Sequence, residues 1–232
     1  MTASPINAAL AGTWRLGDLT VNRIGFGAMR LPQYGPAFAP DAVPRDRDGA
    51  IAVLRKAVEL GVNHIDTAAF YFSRLRSANE LINRALAPYP DDLVIATKVG
   101  PGRAPSGDWL SMAAPEQLRG QVEENLRHLG RDQLDLLNLR ISGLHSIAEH
   151  FAALAELRDA GLIRQLGISN ARPEHLAEAQ AIAPVVCVPA RAARRAPAAV
   201  SPTRYSRSRA NTRSHRRGCA WPGRCNRAPT CW

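Results

Sequence analysis

An α/β fold built on a parallel sheet is the class this sequence predicts, from two observations. Short apolar runs alternate with amphipathic helical stripes between residues 23 and 188, and glycine or proline marks most of the transitions. A third observation concerns chemistry. Acid, phenol and amine side chains stand at or just past the C-terminal ends of the apolar runs, where barrel and open-sheet enzymes gather their reactive groups.

The elements follow in order. Thr13 to Val21 reads as a two-stranded hairpin turning at Gly17-Asp18, and it leads into Arg23-Ile24-Gly25-Phe26-Gly27-Ala28-Met29 as the first parallel strand and its exit. Ile51, Leu54, Val58 and Leu60 share one helical face that ends at Gly61, and Val62–Ile65 is the second strand. Leu81, Ile82, Ala85 and Leu86 mark the next helix, before the strand Leu93–Thr97. Pro115 opens a third helix, carried by Leu118, Val122, Leu126 and Leu129 and stopped by Gly130, and Leu134–Leu139 is the fourth strand. The helix Ile147–Ala160, closed by Gly161, precedes a fifth strand, Ile163–Ile168. Pro173 begins a short fifth helix, and Val185–Val188 is expected to be a sixth strand. Six strands in strand-helix order imply right-handed parallel crossovers. They complete a doubly wound sheet but leave a (β/α)8 barrel two units short, and periodicity alone does not separate the two.

Beyond Val188 the pattern stops. Residues 189–232 contain eleven Arg and no Lys, Asp or Glu, with no strand alternation and no helical stripe, and are expected to be a disordered basic tail. The abrupt change inside an expected strand reads as translation in a shifted frame from near the Val188 codon. The chain's formal charge of +10 less those eleven leaves −1 on residues 1–188, so the body gives no reason to expect nucleic acid or an anionic membrane as partner. In the tail, Arg204, Arg207, Arg209, Arg213, Arg216 and Arg217 would attract phosphates without sequence preference, and Tyr205, Trp221 and Trp232 are too scattered for a stacking platform. Cys219, Cys225 and Cys231 lack the tight pairs of zinc sites, so no metal is expected. Cys187, inside an apolar run, reads as a small buried thiol of a reducing compartment. With no basic, apolar leader and no run of about 18 apolar residues, the expected location is cytoplasmic.

Asp66, Tyr71 and Lys98 form the chemical core of the sequence. A phenol with a pKa near ~10 exchanges protons poorly at neutral pH unless a cation stabilises its anion, and a buried ammonium keeps its proton only beside a carboxylate. Taken singly, Asp66 reads as a strand-end cap, Lys98 as a solvated strand end and Tyr71 as a packed aromatic. Their joint placement after successive parallel strands makes a general acid held by an ion pair, suited to delivering a proton to a carbonyl oxygen. Gly25-Phe26-Gly27-Ala28-Met29-Arg30 and Gly167-Ile168-Ser169-Asn170 stand at two further strand ends.

Asp66-Thr67-Ala68-Ala69-Phe70-Tyr71, Ala96-Thr97-Lys98 and Gly167-Ile168-Ser169-Asn170, in this order, resemble the aldo/keto reductase family over roughly residues 13–188. The resemblance implies a (β/α)8 TIM-type barrel with the N-terminal hairpin across its floor and NADPH bound at the C-terminal mouth. It implies reduction of an aldehyde or ketone, with Tyr71 as proton donor, Lys98 lowering its pKa and Asp66 holding Lys98. Ser169 and Asn170 would grip the nicotinamide carboxamide, with Gly27, Ala28 and Met29 close to ring and substrate. Three departures follow. Arg140 stands where most of the family has the His that orients the carbonyl; it could polarise the carbonyl or pair with an acid at the rim, but it does not shuttle a proton at pH 7. Pro189 replaces an expected Gln. The seventh and eighth strands and the adenosine-phosphate loop are not found, so the expectation is a barrel incomplete after its sixth strand, with exposed edges, poor stability and weakened coenzyme binding. The alternative is an inactive fragment of the fold or a cofactor-sensing binding module. Substrate identity and oligomeric state are not legible; the loop Leu31–Asp46 with Phe38, and Phe70, Phe72 and Trp109, are expected to line the mouth.

Overall fold

The computed structural model describes residues 6–39 and 42–189. The expected basic tail from residue 190 onward, including its arginines and cysteines, lies outside the described residues, as does Pro40 of the mouth loop. The chain opens with strands β1 (Thr13–Leu16) and β2 (Leu19–Asn22), an antiparallel hairpin that pairs Leu16 with Leu19 across the Gly17-Asp18 turn. Then come β3 (Phe26–Gly27), α1 (Arg47–Glu59), β4 (His64–Asp66), α2 (Ala78–Leu86) and β5 (Val94–Val99). A second hairpin, β6 (Pro101–Arg103) with β7 (Trp109–Met112), precedes α3 (Leu118–Leu129), β8 (Leu134–Arg140), α4 (Ala148–Asp159), β9 (Ile163–Ser169) and α5 (Pro173–Ile182). Strands β3-β4-β5-β8-β9 form one parallel sheet in sequence order.

Local chemistry sets the helix ends. The Asp46 carboxylate accepts from the Gly49 N–H at 2.7 Å, capping an otherwise orphaned donor at the start of α1. Gly130 ends α3 at φ 64°, in the left-handed region, and donates to the Leu126 carbonyl.

The two faces of the sheet decide between the two folds left open by periodicity. Ile65, Ile95, Leu137, Leu139, Leu166 and Ile168 pack with the apolar stripes of α1–α4, among them Leu54, Ile82, Val122 and Phe151. On the opposite face no helix packs among the described residues. There Val94, Ala96 and Leu136 form a separate cluster with Leu16, Leu19 and Val21 of the hairpin and with buried Cys187. One face against helices and the other closed by a hairpin is barrel geometry; a doubly wound sheet carries helices on both faces. Asp18 fastens the floor, taking bonds from Arg164 at 2.8 and 3.0 Å and from Gln165 at 2.6 Å, and the Arg164 hydrogen bonds hold its carboxyl below the usual range.

The expected sixth strand is corrected to a single parallel bridge, Gly167 to Cys187. Backbone bonds tie it to β9, Ile168 N–H to the Cys187 carbonyl at 3.0 Å and Val186 N–H to the Leu166 carbonyl at 2.9 Å. Pro184 and Pro189 bracket the run, and neither has an N–H to extend a ladder.

Candidate active site

Register places the chemistry. Cross-strand partners share a face, and along a strand every second residue returns to it. From the pairs Asp66–Ala96–Leu136, Lys98–Asn138–Gly167 and Arg140–Ser169, the interior rises in layers from an apolar floor to a charged mouth. Gly167 is demanded by this layering: a Cβ there would collide with Asn138 Oδ1 and meet the Cys187 carbonyl at 2.7 Å.

Lys98 Nζ lies 2.6 Å from Asp66 Oδ1 and donates to the Thr67 carbonyl at 2.9 Å. The Lys98 side chain is 5% exposed against 20% for Asp66, so the ammonium is the deeper partner, and a lone charge at that depth would cost several kcal/mol. The Lys98 ammonium stands 4.9 Å from the centre of the Tyr71 ring. Tyr71 follows β4 in a turn whose N–H donates to the Ala68 carbonyl, and it is buried under Phe38 and Phe70, with ring centres 5.8 and 5.2 Å away. Lys98 and Arg140 act on its pKa in the expected direction, and burial acts against them. Burial disfavours the phenolate and raises the pKa above the usual value, while the Lys98 and Arg140 charges offset only part of that rise.

Behind the ion pair runs a buried polar chain that sequence reading missed. Thr67 Oγ1 donates to Asn79 Oδ1 at 2.8 Å, Asn79 Nδ2 to Asn125 Oδ1 at 2.9 Å, and Thr97 Oγ1 to the same oxygen at 2.6 Å. Asn125 Nδ2 closes the chain on the Gln121 carbonyl at 2.8 Å. All four linked side chains are buried. The one signal in the sequence is an Asn on the apolar stripe of each of two helices, at Asn79 and Asn125.

At the rim, Arg140 is half-buried, its guanidinium carbon 5.7 Å from the Phe70 ring centre and 5.9 Å from that of Trp109. The weighed pairing with a rim acid is not found: among the described residues no carboxylate lies within ion-pair distance. Arg103, also missed, is spent on the backbone, donating to the carbonyls of Phe70, Phe72 and Gly107 at 3.2, 2.9 and 3.1 Å. Ser169 is Arg140's register partner, and Asn170 holds φ 60° while its amide donates to the Ile141 carbonyl at 2.7 Å.

Gly27 pairs with Asp66 in the register, and a Cβ there would meet nothing within 4 Å, so the chain leaves room beside the ion pair that packing does not need. Ala28 is buried and Met29 exposed in the one-turn helix that follows. Together with Ser169 and Asn170 across the mouth, that open cradle fits a flat ring bearing a carboxamide. Among the described residues no group of metal-ligating side chains occurs, and no helix is long and apolar enough to cross a membrane.

A sequence model described as the aldo/keto reductase family matches residues 23–193. Pyridoxine 4-dehydrogenase of Escherichia coli (strain K12) is 45% identical over 185 residues, 77% of this chain and 63% of that protein. Among solved structures, the holo form of an aldo-keto reductase from Bacillus halodurans has a TM-score of 0.63 at 30% identity, covering 76% of this chain and 56% of that one. A Klebsiella pneumoniae aldo-keto reductase in complex with NADPH gives 0.55 at 27%, covering 71% and 52%. The chain thus spans less than two-thirds of the length of each of these relatives.

Proposed function

The chain belongs to the aldo/keto reductase family, and from that premise we propose that its mouth carries out the reduction of an aldehyde or ketone to an alcohol with NADPH. The observation that carries the reading is the Lys98 ammonium, 2.6 Å from Asp66 and 4.9 Å from the Tyr71 ring, beside the open cradle at Gly27. When bound, the reduced nicotinamide supplies a hydride to the carbonyl carbon. Tyr71 gives its phenolic proton to the carbonyl oxygen, and Lys98 and Arg140 stabilise the phenolate that remains. Asp66 keeps Lys98 charged. Gly27, Ala28 and Met29 hold one side of the nicotinamide and Ser169 and Asn170 its carboxamide. The Lys98 and Arg140 charges ease loss of the Tyr71 proton by offsetting part of the rise that burial imposes on its pKa. The choice of NADPH rests on the likeness to the Klebsiella protein.

The test is nicotinamide fluorescence on binding, together with aldehyde turnover, for the 232-residue chain and for Tyr71→Phe. Retained coenzyme binding with a rate reduced about 10²–10⁴-fold in Tyr71→Phe is expected. A full rate in Tyr71→Phe overturns the proton-donor role. Coenzyme binding with no turnover in either protein favours the binding-module alternative.

A further inference from the structure

Tyr71 and Lys98 belong to different segments of the chain, so their spacing depends on what joins the turn after β4 to the exit of β5. Within the turn the Tyr71 N–H donates to the Ala68 carbonyl at 3.0 Å, and the Tyr71 carbonyl accepts from the Ala78 N–H at 2.8 Å. The carbonyls on either side belong to Phe70 and Phe72. Arg103 Nη1 donates to both, at 3.2 and 2.9 Å. A buried carbonyl without a donor is costly, so one nitrogen satisfies the two peptides that bracket the phenol.

The other end of this link is also anchored. Arg103 stands five residues after Lys98, at the end of β6, on the hairpin that grows out of β5. Its Nε donates to the Gly107 carbonyl at 3.1 Å, across the hairpin loop. At the base of the hairpin, Gln121 of α3 holds Gly100 twice, accepting from its N–H at 2.8 Å and donating to its carbonyl at 3.0 Å. A connected path therefore runs from α3 through the β5 exit and the hairpin to the Tyr71 turn. Around the guanidinium stand Phe72, Phe38 and Trp109, with ring centres 4.6, 5.1 and 5.8 Å from its carbon. Those faces favour a cation there and limit water's access to the two carbonyls.

We infer that Arg103 is the positioning residue of the proton donor: by clamping the carbonyls of Phe70 and Phe72 it holds the Tyr71 phenol against Lys98. This rests on the reductase reading for what Tyr71 does and adds the group that keeps it in place. Lysine would not serve equally. A guanidinium offers Nη1 to the turn and Nε to Gly107 in one plane, whereas an ammonium is a single point on a flexible stem.

Two measurements on the whole chain test the inference, one of them without turnover. Nitration by tetranitromethane, mapped by peptide mass spectrometry, reads whether Tyr71 is covered; it is 5% exposed, against 48% for Tyr34. In Arg103→Met, which keeps a long apolar stem and no donor, Tyr71 should nitrate at least about tenfold faster, the scale of losing hydrogen bonds from a charged group. Arg103→Lys should fall between. Tyr89, bonded to the Leu129 carbonyl at 2.6 Å, should stay protected in both, which separates release of the turn from loss of the fold. In turnover, kcat for an aldehyde should drop about 10²-fold in Arg103→Met while coenzyme affinity is unchanged. In a Tyr71→Phe background the same substitution should cost nothing more, because it acts through the phenol. Should Arg103→Met unfold, Arg103→Lys carries the same comparisons.

Equal nitration of Tyr71 with and without Arg103→Met, release of Tyr89 together with Tyr71 in a folded variant, or a further rate loss in the Tyr71→Phe background each overturns the inference. Unfolding of both variants does so too, because Arg103 would then hold the fold and not the phenol. A chain that turns over no aldehyde yet frees Tyr71 in Arg103→Met refutes the reductase reading and leaves the clamp standing. Full turnover in Arg103→Met does the reverse.

Discussion

Replacing Asn125 with Leu tests whether the polar chain behind the sheet holds the site's framework. The two side chains share heavy-atom count and branching, so the substitution removes hydrogen bonds without opening a cavity. Asn125 Oδ1 accepts from Thr97 at 2.6 Å and from Asn79 at 2.9 Å, and all three residues are fully buried. Leucine would orphan the Thr97 hydroxyl and one Asn79 N–H, at about 1–3 kcal/mol each, whereas the Gln121 carbonyl still lies in helix α3. The expected cost is about 2–6 kcal/mol, a large share of the 5–15 kcal/mol typical of a domain. Urea unfolding of the whole chain, followed by circular dichroism, measures it. Adding Thr97→Val removes one of the two orphans and should recover about 1–2 kcal/mol, a coupling that independent sites would not show. A loss below about 1 kcal/mol for Asn125→Leu, or no recovery in the double variant, would refute the reasoning.

Other outcomes follow from single observations. Burial raises the Tyr89 pKa to about 12, above the unfolded value, so its contribution to stability is complete below pH ~10 and is lost as pH climbs toward about 12. After screening at its exposed edge this amounts to about 1–2 kcal/mol. Tyr89→Phe, which also gives up the 2.6 Å bond to the Leu129 carbonyl, should flatten that alkaline loss in urea titrations; an unchanged slope would contradict the assignment. Gly27→Val should leave the unfolding free energy in urea within about 0.5 kcal/mol, because its Cβ meets nothing, yet weaken nicotinamide binding; unchanged binding would remove Gly27 from the cradle. Asn138 is fully buried with neither side-chain atom bonded to a described group, so Asn138→Leu should stabilise the chain by about 1–3 kcal/mol, and a destabilised variant would show that the amide has a partner.

The parts of the molecule legible in the sequence were those set by period and punctuation. Pro173 and Gly130 bound helices as their chemistry requires, and the hairpin turns at Gly17-Asp18. Asp66, Tyr71 and Lys98 stood out because each follows a short apolar run, and the fold brings the three together. Strands of three and four residues, β6 and β7, were not legible: Pro101 and Gly102 are turn formers, and the pairing depends on Arg103 latching to Phe70 and Phe72. The direction of the Tyr71 shift escaped for a related reason. It depends on how deeply Phe38, from a loop more than thirty residues earlier, covers the ring. The sixth strand failed because composition supports a strand while pairing needs N–H donors beyond Val188, where Pro189 has none.

The polar chain and the reactive lysine are two consequences of one register. Adjacent residues of a strand face opposite sides, so Thr97 facing Asn125 obliges Lys98 to face Asp66 and the mouth. The sequence Val94-Ile95-Ala96-Thr97-Lys98-Val99 is apolar on both faces and by itself tolerates a slip of one residue, since Val94 and Ala96 would pack against helices as readily as Ile95 does. Such a slip would drive the Lys98 ammonium among Val122, Leu126 and Leu137 without a carboxylate and strip Asn125 of its Thr97 donor. A buried unpaired ammonium alone costs several kcal/mol, and the orphaned amide adds about 1–3 more. The helix-side network, remote from any substrate, therefore reinforces the ion pair in selecting which face of β5 carries the amine. A chain lacking that network would hold the register by the Lys98–Asp66 pair alone, with a margin smaller by about 1–3 kcal/mol.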